Sequence, residues 1–152
     1  MSPIFLDSDI ILDVFAKRHP FYEQAARVLT LAETQQIRGC TSSLIFANLY
    51  YILRRLKNRE IAVSYLRKLQ TLVEILAVDA HSIVFSLNSA FPDVEDAIQY
   101  FTAKQHHIAY LITRNIKDYK AAEKNVMRVC TAEEYLQLWD AAKATSLRRK
   151  KK

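Results

Sequence analysis

The stretch Pro3–Phe15, "PIFLDSDIILDVF", sets three aspartates, Asp7, Asp9 and Asp13, among Ile, Leu, Val and Phe. Carboxylates rarely go unpaired into apolar surroundings, because desolvating the charge costs far more than burying a neutral side chain. Pro3 to Leu6 is short and apolar without alternation, the pattern of a strand covered on both faces. From Asp7 to Phe15 the apolar residues fall at 10, 11, 14 and 15, which is helical spacing. A buried strand thus hands over to a helix, and Asp7 and Asp9 stand at the join.

The same handover recurs along the chain. A helix is predicted from about Pro20 to Thr34, with Phe21, Ala25, Val28, Leu29 and Ala32 on one stripe. "IRGCTSS" gives a second strand followed by Ser/Thr caps. Ser43 to Leu56, "SLIFANLYYILRRL", is apolar nearly all round, as in a deeply packed helix, and another helix runs from Asn58 to Thr71. Val73–Asp79, Ile108–Thr113 and Val126–Cys130 read as three more strands, with helices over Ala80–Ser89 and Val94–Gln105 between them. Thr131 followed by Glu134 is a capping box, opening a last helix to about Ala144. Short apolar strands separated by helices predict an α/β protein with a parallel sheet. The expected organisation is one domain over residues 1–144 and a basic, disordered tail over 145–152.

Composition narrows the chemistry. The chain has 152 residues, 51% hydrophobic and 25% charged, as in ordinary globular proteins. Gly39 is the sole glycine, so neither G-x-G-x-x-G nor G-x-x-x-x-G-K-[ST] can be built, and nucleotide binding of those kinds is excluded. Cys40 and Cys130 have no partner at metal-finger spacing and read as two buried thiols of a reducing compartment. No apolar run is long enough to span a bilayer, so the expectation is a cytoplasmic protein with no membrane partner. The net charge is +6, but the last five residues, "RRKKK", carry most of that excess and leave the body near neutral. By itself the charge says little about nucleic acid.

Placement of the polar residues says more. In open parallel sheets ligands bind beyond the carboxyl ends of the strands. Asp7, Ser8 and Asp9 follow the first strand; Thr41, Ser42 and Ser43 the second; Thr113, Asn115 and Asp118 the fourth; Asp93, Glu95 and Asp96 open a helix. Each acid has two readings from spacing alone: a helix cap, or a ligand to a hard cation such as Mg²⁺ or Mn²⁺. The histidines, His19, His81, His106 and His107, share no spacing with a Ser or Cys nucleophile. Asp13 reads as an exposed helix residue or the partner of a nearby base.

Four motifs in order, "FLDSDIILDVF", "FANLYYILRR", "PDVEDAIQYFTA" and "YLITRNIKDY", resemble a PIN domain over about Ile4 to Leu138. The last two are the most specific: E-D-A, then T-R-N-x-x-D-Y after an apolar strand. The resemblance implies a three-layer α/β/α sandwich with a short parallel sheet of about five strands. It also implies a Mg²⁺- or Mn²⁺-dependent endoribonuclease, commonly the VapC-like toxin of a type II toxin–antitoxin pair. RNA as substrate, a cognate antitoxin protein as partner and a homodimer go with it.

By the same resemblance Asp7, Asp96 and Asp118 are the catalytic metal ligands, with Asp9 and Asn115 beside them. Ser8, Ser43, Thr113 and Arg114 are expected to contact a ligand carboxylate or the substrate, and Arg148 to Lys152 to meet phosphates. Asp9 is expected to reach the site only if the chain stays extended past Asp7; Glu95 is another candidate for the charge that Asn48 lacks, though it precedes Asp96 and is expected to point elsewhere. One departure stands out: Asn48 occupies the place where the family carries a Glu on its long apolar helix. Asn offers a neutral carbonyl and no charge. The alternative reading is therefore a catalytically weakened PIN domain that binds RNA or a protein. Tyr50, Tyr51, Tyr65 and Phe85 are candidate dimer contacts, most of them also explained by core packing.

Overall fold

A computed structural model describes residues 2–151. Five strands, β1 (Pro3–Leu6), β2 (Arg38–Ser42), β3 (Glu74–Leu76), β4 (Tyr110–Ile112) and β5 (Arg128–Cys130), form one sheet. All pairings are parallel and the spatial order is β3-β2-β1-β4-β5. Helices α1 (Ser8–Phe15), α2 (Tyr22–Glu33), α3 (Ser43–Leu56), α4 (Arg59–Leu72) and α7 (Ala132–Lys150) pack with one another on one face. Helices α5 (Ala80–Leu87) and α6 (Val94–Gln105), with a 3₁₀ turn at Ile116–Tyr119, cover the other. The three-layer α/β/α sandwich expected from the sequence is the fold observed.

β1 lies in the middle of the sheet, and Ile4, Phe5 and Leu6 are fully buried. Burying such side chains contributes about 1.5–3 kcal/mol each, which explains the absence of polar alternation. β2 approaches α2 and α4 closely at Gly39, where a Cβ would stand 3.2 Å from Ala32 Cβ and 3.3 Å from Val73 Cγ1. Cys40 and Cys130 are buried free thiols.

The chain leaves β1 and crosses to β2 and β3 on one side, then returns over the opposite face to β4 and β5. The strand order therefore reverses between β1 and β4. In such sheets the crevice at the reversal, beyond the carboxyl ends, is the ligand site. Asp7 and Thr113 are the first residues past those two strands.

The sequence reading departs from the structure at three places. The segment expected as a disordered tail continues α7 to Lys150, capped by Lys151, while Lys152 and Met1 lie outside the described residues. "AAKATSLRRK" contains no Gly or Pro to stop a helix, and its basic last turn complements the helix dipole. Of the two readings of Asp13 the exposed one fails and the partner of a base holds: Asp13 is fully buried beside Arg114 from the loop after β4. α5 is turned inside out: Ser82 and Ser86 face the protein, while Ile83, Val84, Phe85 and Leu87 face outward. Small serines let α5 lie close on α6, with Ser86 Oγ returning a hydrogen bond to the Ser82 carbonyl (2.6 Å).

Candidate metal centre

Asp7 is the N-cap of α1 and is buried, with 7% of its surface exposed. Its Oδ1 accepts the Ser8 N–H (2.8 Å), which is how Ser8 enters the site. Its Oδ2 accepts two hydroxyls, Thr113 Oγ1 (2.9 Å) and Tyr119 OH (3.0 Å). The cap and ligand readings are thus compatible, since one carboxylate can fix the helix start and still face the crevice. Burial raises its pKa against those three hydrogen bonds, with the Asp118 charge adding to the rise. Burial and the Asp7 charge likewise push the Tyr119 phenol well up, so it remains a donor.

α1 begins at Ser8, yet Asp9 still reaches the site. In the first turn it leans toward the loop after β4, where its Oδ2 accepts the Arg114 N–H (3.1 Å) and the Asn115 Nδ2 amide (3.4 Å). An extended chain past Asp7 is not needed, because the β4 loop comes to meet the helix. Asp9 Oδ1 is buried without a hydrogen bond. Burial, then the neighbouring Asp7 charge, pushes the Asp9 carboxyl to about 6.

Asp96 sits in the first turn of α6, its N–H held by Asp93 Oδ1 (2.9 Å). Its carboxyl is pushed up to about 7, first by burial and then by the charges of Asp7, Asp93, Asp118 and Glu95. Asp118 lies in the 3₁₀ turn. Carboxylates from β1, α6 and the turn after β4 therefore share one electrostatic environment at the reversal of strand order.

Glu95 does not point elsewhere: its Oε1 accepts the Asn48 Nδ2 amide at 2.5 Å, joining α6 to α3. Burial raises its pKa, followed by the charges of Asp93 and Asp7. Ser43 is engaged away from the acids, its Oγ accepting the Val78 N–H (3.1 Å). Arg114 turns its side chain from the acids toward α1 and α2. Its Nε lies 3.0 Å from Asp13 Oδ2 without the alignment of a hydrogen bond, and the guanidinium lies 4.3 Å from the centre of the Phe21 ring.

The donors are all hard oxygens, and their mutual repulsion is the cost that a divalent cation lifts. In chemistry the set fits Mg²⁺ or Mn²⁺. Among the described residues no three His, Cys, Asp or Glu side chains converge on one point; a Mg²⁺ held by one or two carboxylates and several waters does not need them to. Two hollows lie to either side of the segment after β4, the second reaching the amino end of β5. One of about 480 Å³ is lined by Asp13, Phe21, Arg114, Asn115 and Glu133. The other, of about 650 Å³, is bordered by Lys117, Lys120, Lys124 and Arg128 next to Tyr119.

Sequence reasoning misses Tyr119 and this basic rim, and names Glu95 without its partner Asn48. The rim has a signal, since 117, 120, 124 and 128 follow one another at steps of three and four through "KDYKAAEKNVMR".

No curated protein matches the chain. Among solved structures, VapBC2 from Rickettsia felis bound to a DNA fragment from its promoter is similar at a TM-score of 0.67 and 19% identity, over 85% of this chain and 98% of that one. A toxin–antitoxin complex from Klebsiella pneumoniae is similar at 0.62 and 21%, over 85% and 97%. Mycobacterium tuberculosis VapC20, a sarcin-ricin loop cleaving toxin, is similar at 0.58 and 17%, over 71% and 86%. The sequence model of the PIN domain matches residues 3–117. With that match spanning most of the chain and the five-stranded parallel sheet in agreement, the chain belongs to the PIN domain family.

Proposed function

We propose that this protein is a Mg²⁺- or Mn²⁺-dependent endoribonuclease acting as the toxin of a toxin–antitoxin pair. The observation that supports the reading is that Asp7, Asp96 and Asp118, from three separate elements, act on one another electrostatically near the reversal of strand order. A divalent ion held there polarises a phosphodiester, activates water and stabilises developing charge. Asp7 is the fixed member, since Thr113 and Tyr119 hold one of its oxygens and the Ser8 N–H the other. Asp96 and Asp118, whose charges act on it and on each other, are the other two ligands, with Asp9 and Asn115 as accessory oxygens. Asp9 has a second task, binding the backbone after β4 and so holding Thr113 and Asn115 in place. Lys117, Lys120, Lys124 and Arg128 are placed to take backbone phosphates, contacts that position RNA without reading its sequence. Arg114 is engaged by Asp13 and Phe21 and acts as a strut for the loop.

The neighbours crystallised as VapBC or toxin–antitoxin complexes support an antitoxin protein as partner, and VapC20 supports RNA as substrate. The outward apolar side chains of α5 support a homodimer. No helix among the described residues is long and apolar enough to cross a membrane. Asn48 favours the second reading, a weakened nuclease that binds RNA or a protein without cutting it. The deciding experiment is cleavage of a structured RNA pool in Mg²⁺ or Mn²⁺, with EDTA and Asp96→Asn as controls. Cleavage abolished by both establishes the nuclease. No cleavage, together with no Mn²⁺ binding by calorimetry, overturns it. Sedimentation of wild type against Phe85→Glu tests the dimer: a monomeric wild type refutes it.

A further inference from the structure

We infer that Glu95, steered by Asn48, is the carboxylate that completes the metal centre, so that one acid of the site has moved from α3 to α6. This rests on the nuclease reading above and adds to it a ligand and its positioning residue. The warrant is the single side-chain hydrogen bond that joins the two helices at the site: Asn48 Nδ2 donates to Glu95 Oε1 at 2.5 Å. Only one of the two positions can carry a charge at that separation, because two carboxylates side by side cannot both stay ionised without a large penalty. An amide on α3 facing a carboxylate on α6 is therefore one arrangement of the pair, and a carboxylate on α3 facing an amide on α6 is the other. The number of acids is the same in both.

The geometry leaves Glu95 free to ligate. Only its Oε1 is taken up by Asn48, and among the described residues Oε2 accepts no hydrogen bond. Asp96, the next residue in the same helical turn, is one of the three acids already placed in the centre. Asp93 caps α6 through one oxygen, accepting the Asp96 N–H, and what distinguishes Glu95 in this turn is its bond to a side chain on α3. An outer partner that fixes the orientation of a ligating carboxylate is a regular feature of metal sites. Asn48 fills that role, and its substitution for Glu is a relocation of charge instead of its loss.

The test is Mn²⁺ titration by calorimetry on four variants of the full chain, with the melting temperature of each measured in EDTA. Glu95→Gln keeps an amide facing Asn48 and removes the charge. It should weaken Mn²⁺ affinity by at least the about 10- to 100-fold seen on losing an outer-sphere partner, with an EDTA melting temperature no lower than wild type. Asn48→Glu combined with Glu95→Gln should return the affinity to the wild-type level, which a purely structural bond between helices would not do. Glu60→Gln, on the exposed start of α4, should behave as wild type. Asp96→Asn is the reference for loss of the centre. Wild-type affinity in Glu95→Gln, with binding abolished in Asp96→Asn, overturns the inference and leaves the nuclease reading standing. A wild-type protein that binds no Mn²⁺ overturns both.

Discussion

Raising the pH from 6 to 8 should tighten Mn²⁺ binding by about an order of magnitude, because the ion must displace protons from crowded carboxylates. Asp96 sets most of the effect, with its carboxyl pushed up to about 7 by burial and by the surrounding acids. A group titrating there is about nine-tenths protonated at pH 6 and about one-tenth at pH 8. Since only the ionised form ligates, apparent affinity follows the ionised fraction and rises about tenfold over that interval. Asp9, pushed to about 6, is half ionised at the lower pH and adds a further factor of about two if it also ligates. The measurement is calorimetry at pH 6, 7 and 8 in pairs of buffers with different ionisation heats, which counts the protons released. About one proton per ion should leave at pH 6 and almost none at pH 8. An affinity that stays flat across the interval, with no buffer-dependent heat, would refute the electrostatic account of the centre.

Without the ion, the same shift has the opposite sign for stability. The folded state holds the Asp96 proton to a higher pH than the unfolded chain, so its contribution is full at low pH and is lost as pH rises from about 4 to about 7; urea melts in EDTA should show that decline, and Asp96→Asn should flatten it. Tyr119→Phe removes a donor to a buried carboxylate and should cost about 1.5–3 kcal/mol in urea denaturation, with the m-value unchanged. Arg114→Ala removes the nearer counter-charge of the buried Asp13, leaving Arg18, and should cost up to about 3 kcal/mol, most of it recovered in Arg114→Ala combined with Asp13→Asn. In RNA binding by the Asp96→Asn protein, alanine at Lys117, Lys120, Lys124 or Arg128 should each reduce the slope of log K against log salt by about 0.7 for every phosphate no longer neutralised. An unchanged slope in all four would place the RNA elsewhere.

The fold is legible because its signals are local. β1 announces itself as "IFL" between a proline and an acid, and the Thr131–Glu134 box is seen reciprocally bonded at the start of α7. Asp7 is legible too, since a strand end, a helix start and a charge coincide there. What the sequence hides depends on partners far along the chain. Asp13 is buried beside Arg114, which comes from the loop after β4, and nothing near Asp13 in sequence says which base that is. Glu95 reads as turned away because its neighbour Asp96 is the motif residue; its orientation comes from Asn48 on another helix. Core packing is the ordinary explanation for an aromatic such as Phe85, yet α5 turns it outward. Serine can line a close helix interface as well as a larger side chain can, so periodicity gives the helix correctly and says little about its orientation.

The order of strands has a consequence for how the molecule comes into being. β2 and β3 form one wing of the sheet and β4 and β5 the other, and the wings touch only through β1, which precedes all of them in the chain. Each wing can form from stretches of neighbouring sequence, but Asp7 meets Thr113 and Tyr119 only once β1 has closed against β4, a pairing that spans most of the polypeptide. Pairings between such distant segments form late, since the intervening loop must be closed before they give any return. The acidic centre therefore waits on a long-range step of folding. A chain interrupted before β4 contains Asp7 and Asp96 but has no crevice to hold them, so a half-made molecule is an inert one.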